Sequence, residues 1–123
     1  MQVTSAEFKQ AIMHINNSLN IAMYGVGLRK QRVYILDNTV IMILADHKRI
    51  PALATLDLND RATTRLIDSA LLEKYKKSLK KGLETSLHLS IKCILKDYEP
   101  LNETAATVIL LEKALSITSE TIR

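Results

Sequence analysis

Apolar side chains between Ser5 and Met23 recur at Phe8, Ile12, Ile15 and Leu19, with Ala11 and Ala22 alongside. Three- and four-residue steps make one stripe on a helix. Thr4 is a good N-cap and Glu7 follows three residues later, the spacing of a capping box. Val3 and Phe8 occupy the positions of a hydrophobic staple across that cap. Gly25 suits the left-handed residue that ends a helix. The pattern then changes period. Arg32-Val33-Tyr34-Ile35-Leu36 and Thr39-Val40-Ile41-Met42-Ile43-Leu44 read as two strands joined by Asp37-Asn38, which tolerate positive φ. Residues 40 to 44 are apolar on both faces, which suits a central strand or one covered by a partner.

Pro51 lacks an amide donor and biases Ile50 away from helix. The stretch from Asp46 to Asp57 therefore reads as a loop. A second helix, capped by Asp57 or Asn59, is expected to run to about Thr85. Ile67, Leu71, Tyr75, Leu79 and Leu83 form its stripe at i+4 spacing, widened by Leu66, Ala70 and Leu72. A third strand is expected from Leu87 to Lys96. Leu87, Leu89, Ile91, Cys93 and Leu95 point to one side, and His88, Ser90, Lys92, Ile94 and Lys96 to the other. Residues 97–103 read as a turn and Ala105 to Glu112 as a fourth strand. The last ten residues suit a short helix or a tail. The order α-β-β-α-β-β predicts an α+β two-layer sandwich: a four-stranded antiparallel sheet with both helices on one face. The other face would then need cover, and a homodimer would supply it.

The chain has 123 residues, enough for one domain. A 47% apolar and 24% charged composition excludes disorder. One cysteine excludes an intrachain disulfide and a cysteine-rich zinc site. No apolar stretch is long enough to span a bilayer, and the N-terminus carries no secretory signal pattern, so a cytoplasmic protein is expected. The net charge of +4 favours an anionic partner without choosing among nucleic acid, lipid and an acidic protein.

Little in the chain suggests catalysis. Gly25-Val26-Gly27 lies between a helix and a following strand, the reverse of a dinucleotide fingerprint, and reads as a helix-ending turn. His14, His47 and His88 share no metal-ligand spacing and read as surface or loop histidines. Cys93 falls on the apolar side of its strand, where a thiol is inert. No nucleophile elbow and no placed carboxylate pair is visible. The expectation is a non-enzymatic protein with no catalytic, metal or cofactor-binding residues. The distinctive polar feature is basic: five lysines between Lys74 and Lys81, of which Lys76, Lys77, Lys80 and Lys81 form two adjacent i+4 rows, and a second cluster of Arg29, Lys30 and Arg32. These seven are the candidate partner-binding residues. A basic nucleic-acid-binding domain is the alternative reading, although aromatic platforms are scarce.

Gly25-Val26-Gly27-Leu28, Arg32-Val33-Tyr34-Ile35-Leu36-Asp37, Val40-Ile41-Met42-Ile43-Leu44, Leu87-His88-Leu89-Ser90-Ile91 and Thr107-Val108-Ile109-Leu110-Leu111 together resemble the small bacterial MpsC-like family. The resemblance spans about residues 22–112. It departs at Leu28, where the family usually has proline. It departs again at residues 49–56, which lack a glutamate common there, and in the long helix, lysine-rich here and commonly acid-rich in the family. That family is named for a sodium-translocating, membrane-potential-generating system. The resemblance therefore implies an accessory or regulatory protein in peripheral contact with a membrane transport complex, and it carries over no catalytic residues.

Overall fold

The structure is a computed structural model that describes residues 4–117. Seven elements follow one another: α1 (Ser5–Tyr24), β1 (Lys30–Leu36), β2 (Val40–Asp46), α2 (Pro51–Asn59), α3 (Arg61–Leu87), β3 (Ile91–Glu99) and β4 (Thr104–Leu111). The strands form one antiparallel sheet in the order β1-β2-β4-β3. This is the expected α+β fold, with α1 and α3 packed on one side of an open sheet.

Local chemistry explains the boundaries. The Thr4 hydroxyl accepts from the Glu7 amide at 3.1 Å, and the Glu7 carboxylate accepts from the Thr4 amide at 2.9 Å, so the capping box is complete. Val3, the other half of the expected staple, lies outside the described residues. Gly25 ends α1 at φ 81°. A Cβ at Gly27 would sit 2.7 Å from the Asn17 amide oxygen, which already accepts from the Leu28 amide at 2.8 Å. Asp37 and Asn38 both take positive φ, 50° and 55°, in the β1–β2 turn.

Several expected boundaries need correction. Residues 46–57 are not one loop, because Pro51 opens α2. Proline fits the first helical turn, where its missing amide would have had no partner, and Ile50 before it is extended as required. The long helix is accordingly capped by Asp60, not Asp57 or Asn59. The Asp60 carboxylate accepts from the Thr63 amide at 3.1 Å. The third strand starts at Ile91, not Leu87, since α3 runs to Leu87 and His88 closes it at φ 55°.

The alternation of β3 is also reversed over most of its length. Pairing with β4 slips between Ile91 and Cys93, a bulge that absorbs Lys92. Ile91 and Ile94 therefore both face the helices, with Lys96 and Tyr98, while Cys93 and Leu95 turn outward. Residues 113–117 form no helix, and the rest of the expected C-terminal segment lies outside the described residues.

The core lies between the helices and the inner sheet face. Phe8 and Ile12 of α1 and Tyr75, Leu79 and Leu83 of α3 meet Val33, Ile41, Ile43, Ile91, Ile94, Ile109 and Leu111. The expected widening of the α3 stripe fails at Leu66, which is 73% exposed. Among the described residues no helix is long and apolar enough to cross a membrane.

Candidate functional site

Two regions stand out, one on each side of the sheet. The first grows out of α1. Positions 8, 12, 16, 20 and 24 form one line on that helix, and its chemistry changes from apolar (Phe8, Ile12) to polar (Asn16, Asn20, Tyr24). Buried amides need partners. The Asn16 amide donates to the Gln31 side-chain oxygen at 3.1 Å, and Gln31 donates to the Met13 carbonyl at 2.9 Å. The Tyr75 hydroxyl donates to the Asn16 side-chain oxygen, and Asn20 donates to the Asn16 carbonyl at 2.8 Å. Burial pushes the Tyr75 phenol well above its usual range.

At the end of this line Tyr24 meets His47, with ring centroids 4.3 Å apart, and His47 meets Tyr98 at 5.3 Å. The Tyr98 hydroxyl donates to the His47 carbonyl at 2.7 Å. His47 is only 5% exposed, and its Nε2 is buried without a hydrogen-bond partner. Burial, reinforced by the positive Lys96 and Arg49, pulls the imidazole down to about 4, so it is neutral at physiological pH. The Lys96 ammonium lies over the Tyr75 ring, 3.3 Å from its centroid, and burial pulls it down to about 8. Burial lifts Tyr98 to about 12. Between these groups lies a cavity of about 20 Å³, room for one water that could satisfy His47.

Beside the cavity Arg49 is locked in place. Its Nε and Nη2 donate to Asp57 at 2.9 Å each, and its Nη1 and Nη2 to Asp68 at 2.6 and 3.1 Å. Arg61 adds a 3.1 Å contact to Asp68 and a 2.7 Å bond to the buried Thr64 hydroxyl. The bond from Arg49 is the main force holding the Asp57 carboxyl down at about 2. The backbone amide of Arg49 donates to Glu103 at 2.7 Å, and Arg29 reaches the same carboxylate at 3.0 Å. The Arg49 guanidinium thus ties α2 and α3 to the 47–50 segment, and the Arg49 backbone amide ties the β3–β4 turn to it. With its donors committed the guanidinium works as a clamp rather than a free cationic site. Among the described residues no three His, Cys, Asp or Glu side chains converge to hold a metal ion.

The second region is the outer sheet face, which no helix covers among the described residues. Register arranges its side chains in four rows running across β1, β2, β4 and β3. Leu36, Val40, Leu110 and Cys93 form the first, and Tyr34, Met42, Val108 and Leu95 the second. Arg32, Leu44, Ala106 and Asp97 form the third, and Lys30, Asp46, Thr104 and Glu99 the fourth. Half of the face is thus wholly apolar, with Tyr34, Leu36 and Leu95 exposed on it, and Leu44 is exposed in the adjoining third row. The other half is cationic at the β1 edge and anionic at the β3 edge.

The candidate partner-binding residues are divided between these layers. Lys30 and Arg32 lie on the outer face of β1, and Arg29 just before it is paired with Glu103. Lys76, Lys77, Lys80 and Lys81 lie on α3 in the other layer, away from the buried Tyr75, Leu79 and Leu83. Lys76 pairs with Glu73 at 2.9 Å, while Lys77, Lys80 and Lys81 are exposed. No flat partner touches both groups at once. His47, Arg49, Lys96 and Tyr98 were not visible as a cluster in the sequence. His47 lies in the loop after β2, as one half of the expectation has it, but it is buried rather than at the surface. The one available signal was the run Asp46-His47-Lys48-Arg49 beside a proline, charged residues at the mouth of an apolar hairpin.

The architecture is that of a two-layer α+β domain with one finished and one open sheet face. Comparisons with family models, with curated proteins and with solved structures find no match to this chain.

Proposed function

We propose that this chain is a non-enzymatic accessory or regulatory protein that works by docking, assembled as a homodimer through its outer sheet face. The observation that carries the reading is that face: eight apolar positions in two adjacent rows that no helix covers among the described residues. A contiguous exposed apolar patch marks an interaction surface. The inner cluster supports the same reading, because its cavity is the size of one water and its guanidinium is already paired. The resemblance to the MpsC-like family extends the proposal to a cytoplasmic protein in peripheral contact with a membrane cation-translocating complex. The lysine side of α3 is then the surface left free for that contact.

The test is capture of the tagged protein from its own cells in gentle detergent, with and without nuclease. Wild type is compared with Leu44→Asp and with Lys76, Lys77, Lys80 and Lys81 all changed to Glu. The reading expects a nuclease-resistant protein partner, lost with the lysine change, and an untagged second copy, lost with Leu44→Asp. Identical capture by all three proteins would refute it.

A second reading, nucleic-acid binding, is favoured by the exposed Lys77, Lys80 and Lys81. It expects recovery of nucleic acid only, abolished by nuclease, and affinity that falls steeply with salt.

A further inference from the structure

We infer that the outer sheet face pairs with a second copy of itself in one register, about a two-fold axis that runs along the strands between β2 and β4. The inference rests on the reading of this face as a docking surface and adds the occupant's orientation. The argument is one of symmetry. A two-fold contact must be self-complementary, because each residue meets the partner position that the axis assigns to it. An axis along the strands exchanges β1 with β3 and β2 with β4 within each row. Arg32 then faces Asp97 of the second copy, and Lys30 faces Glu99. In the apolar rows Tyr34 faces Leu95 and Met42 faces Val108.

The other face-to-face arrangements fail on the same grid. An axis across the strands turns the rows end for end and lays Lys30 and Arg32 on Leu36 and Tyr34. Near-orthogonal packing about either diagonal sets Lys30 against Cys93 or against its own copy. Each of these sets Lys30 on an apolar or like-charged position, whereas the axis along the strands leaves only Asp46 without an opposite charge across the contact, facing Thr104 with Lys30 of its own chain as its cross-strand neighbour. The opposite charges at the two edges therefore select one alignment out of several that the apolar rows alone would permit. Four strands about 4.8 Å apart and alternate positions about 6.8 Å apart give a footprint on the order of 500 Å² in projection. Side-chain relief adds to that, and a specific dimer buries roughly 800 Å² per partner.

A complementation experiment tests the register. Arg32→Asp places carboxylates opposite Asp97 at both symmetric sites, and Asp97→Arg places guanidiniums opposite Arg32 at both. Each variant alone should dimerise at least about tenfold more weakly than wild type. Both side chains are exposed, so both variants should keep the wild-type circular dichroism spectrum. Mixed in equal amounts, the two should form a heterodimer of near wild-type affinity, since both contacts are then between opposite charges. Sedimentation equilibrium of each protein and of the mixture reads the result. A wild-type dimer whose two variants are not rescued by mixing overturns the register. A wild type that stays monomeric at high micromolar concentration overturns the second copy as occupant and leaves the docking reading to its own capture test.

Discussion

The two faces of this sheet are built from the same strands and differ only in which alternate residue they present. Inside, Ile41, Ile43 and Ile109 are fully buried, and the polar groups among them are mostly bonded to one another. Outside, Met42, Leu44, Val108 and Leu110 are as apolar as their neighbours in sequence but meet no helix among the described residues. The contrast shows that an apolar run such as Val40-Leu44 encodes two surfaces, and that the fold of one chain consumes only one of them. Hydrophobicity says how much cover a strand needs. It does not say whether that cover comes from within the chain.

The largest effect expected from probing this contrast is on the finished face. Ile109→Ala removes a fully buried side chain and should cost about 2–5 kcal/mol in denaturant unfolding. Leu95→Ala, at a site 55% exposed, should cost less than about 0.5 kcal/mol under dilute, monomeric conditions. Comparable losses at the two sites would show that the outer face is already covered within the monomer.

Next comes the clamp. Arg49→Met leaves Asp57 and Asp68 without their main cation and should cost about 3 kcal/mol. Adding Asp68→Asn should recover part of that loss, measured by the same unfolding curves.

The third expectation concerns pH. Folded His47 titrates near 4 where the unfolded chain titrates near 6.5, so the unfolded chain binds more protons in that window. Stability should therefore fall as pH drops from 6.5 to 4. Lys96 acts at the alkaline end with the same sign. Its folded value near 8 against 10.5 makes stability rise as pH climbs through that interval. His47→Gln should flatten the acid limb and Lys96→Met the alkaline one in thermal melts across pH. A limb unchanged by its variant would show that the cavity groups are solvated.

A local change, smaller than that at the clamp, is expected for Gly27→Ala. Its Cβ displaces the Asn17 amide oxygen and loses the bond to the Leu28 amide, at about 1 kcal/mol.

Much of this fold was legible in the chain. The Thr4–Glu7 box, the Gly25 stop and the Asp37-Asn38 turn each depend on neighbours in sequence, and each appears where local chemistry places it. Proline misled at Pro51, because its effect depends on whether it falls inside a helix or at its first turn. The site was much less legible. Arg49 finds Asp57, Asp68 and Glu103 across the chain, and no local period announces such a meeting. Asn16 and Asn20 continue the line of Phe8 and Ile12, but as amides they are passed over by an apolar stripe, which steps to Ile15 and Leu19 instead. The place of the two amides in the core follows from Gln31 and Tyr75, far from them in sequence, which bond to Asn16.

The bulge at Lys92 fixes a parity. Residues downstream of it keep their facing because one residue stands outside the count, so the odd or even distance from Ile91 no longer decides inside from outside. Deleting Lys92 would remove the bulge while keeping Ile91 opposite Leu111 and Cys93 opposite Leu110, and both faces would survive. Deleting Leu95 instead would break the count. If the pairing before it held, Lys96 would turn out and Asp97 in, and a single missing residue would spoil the water-sized cavity and the acidic edge together.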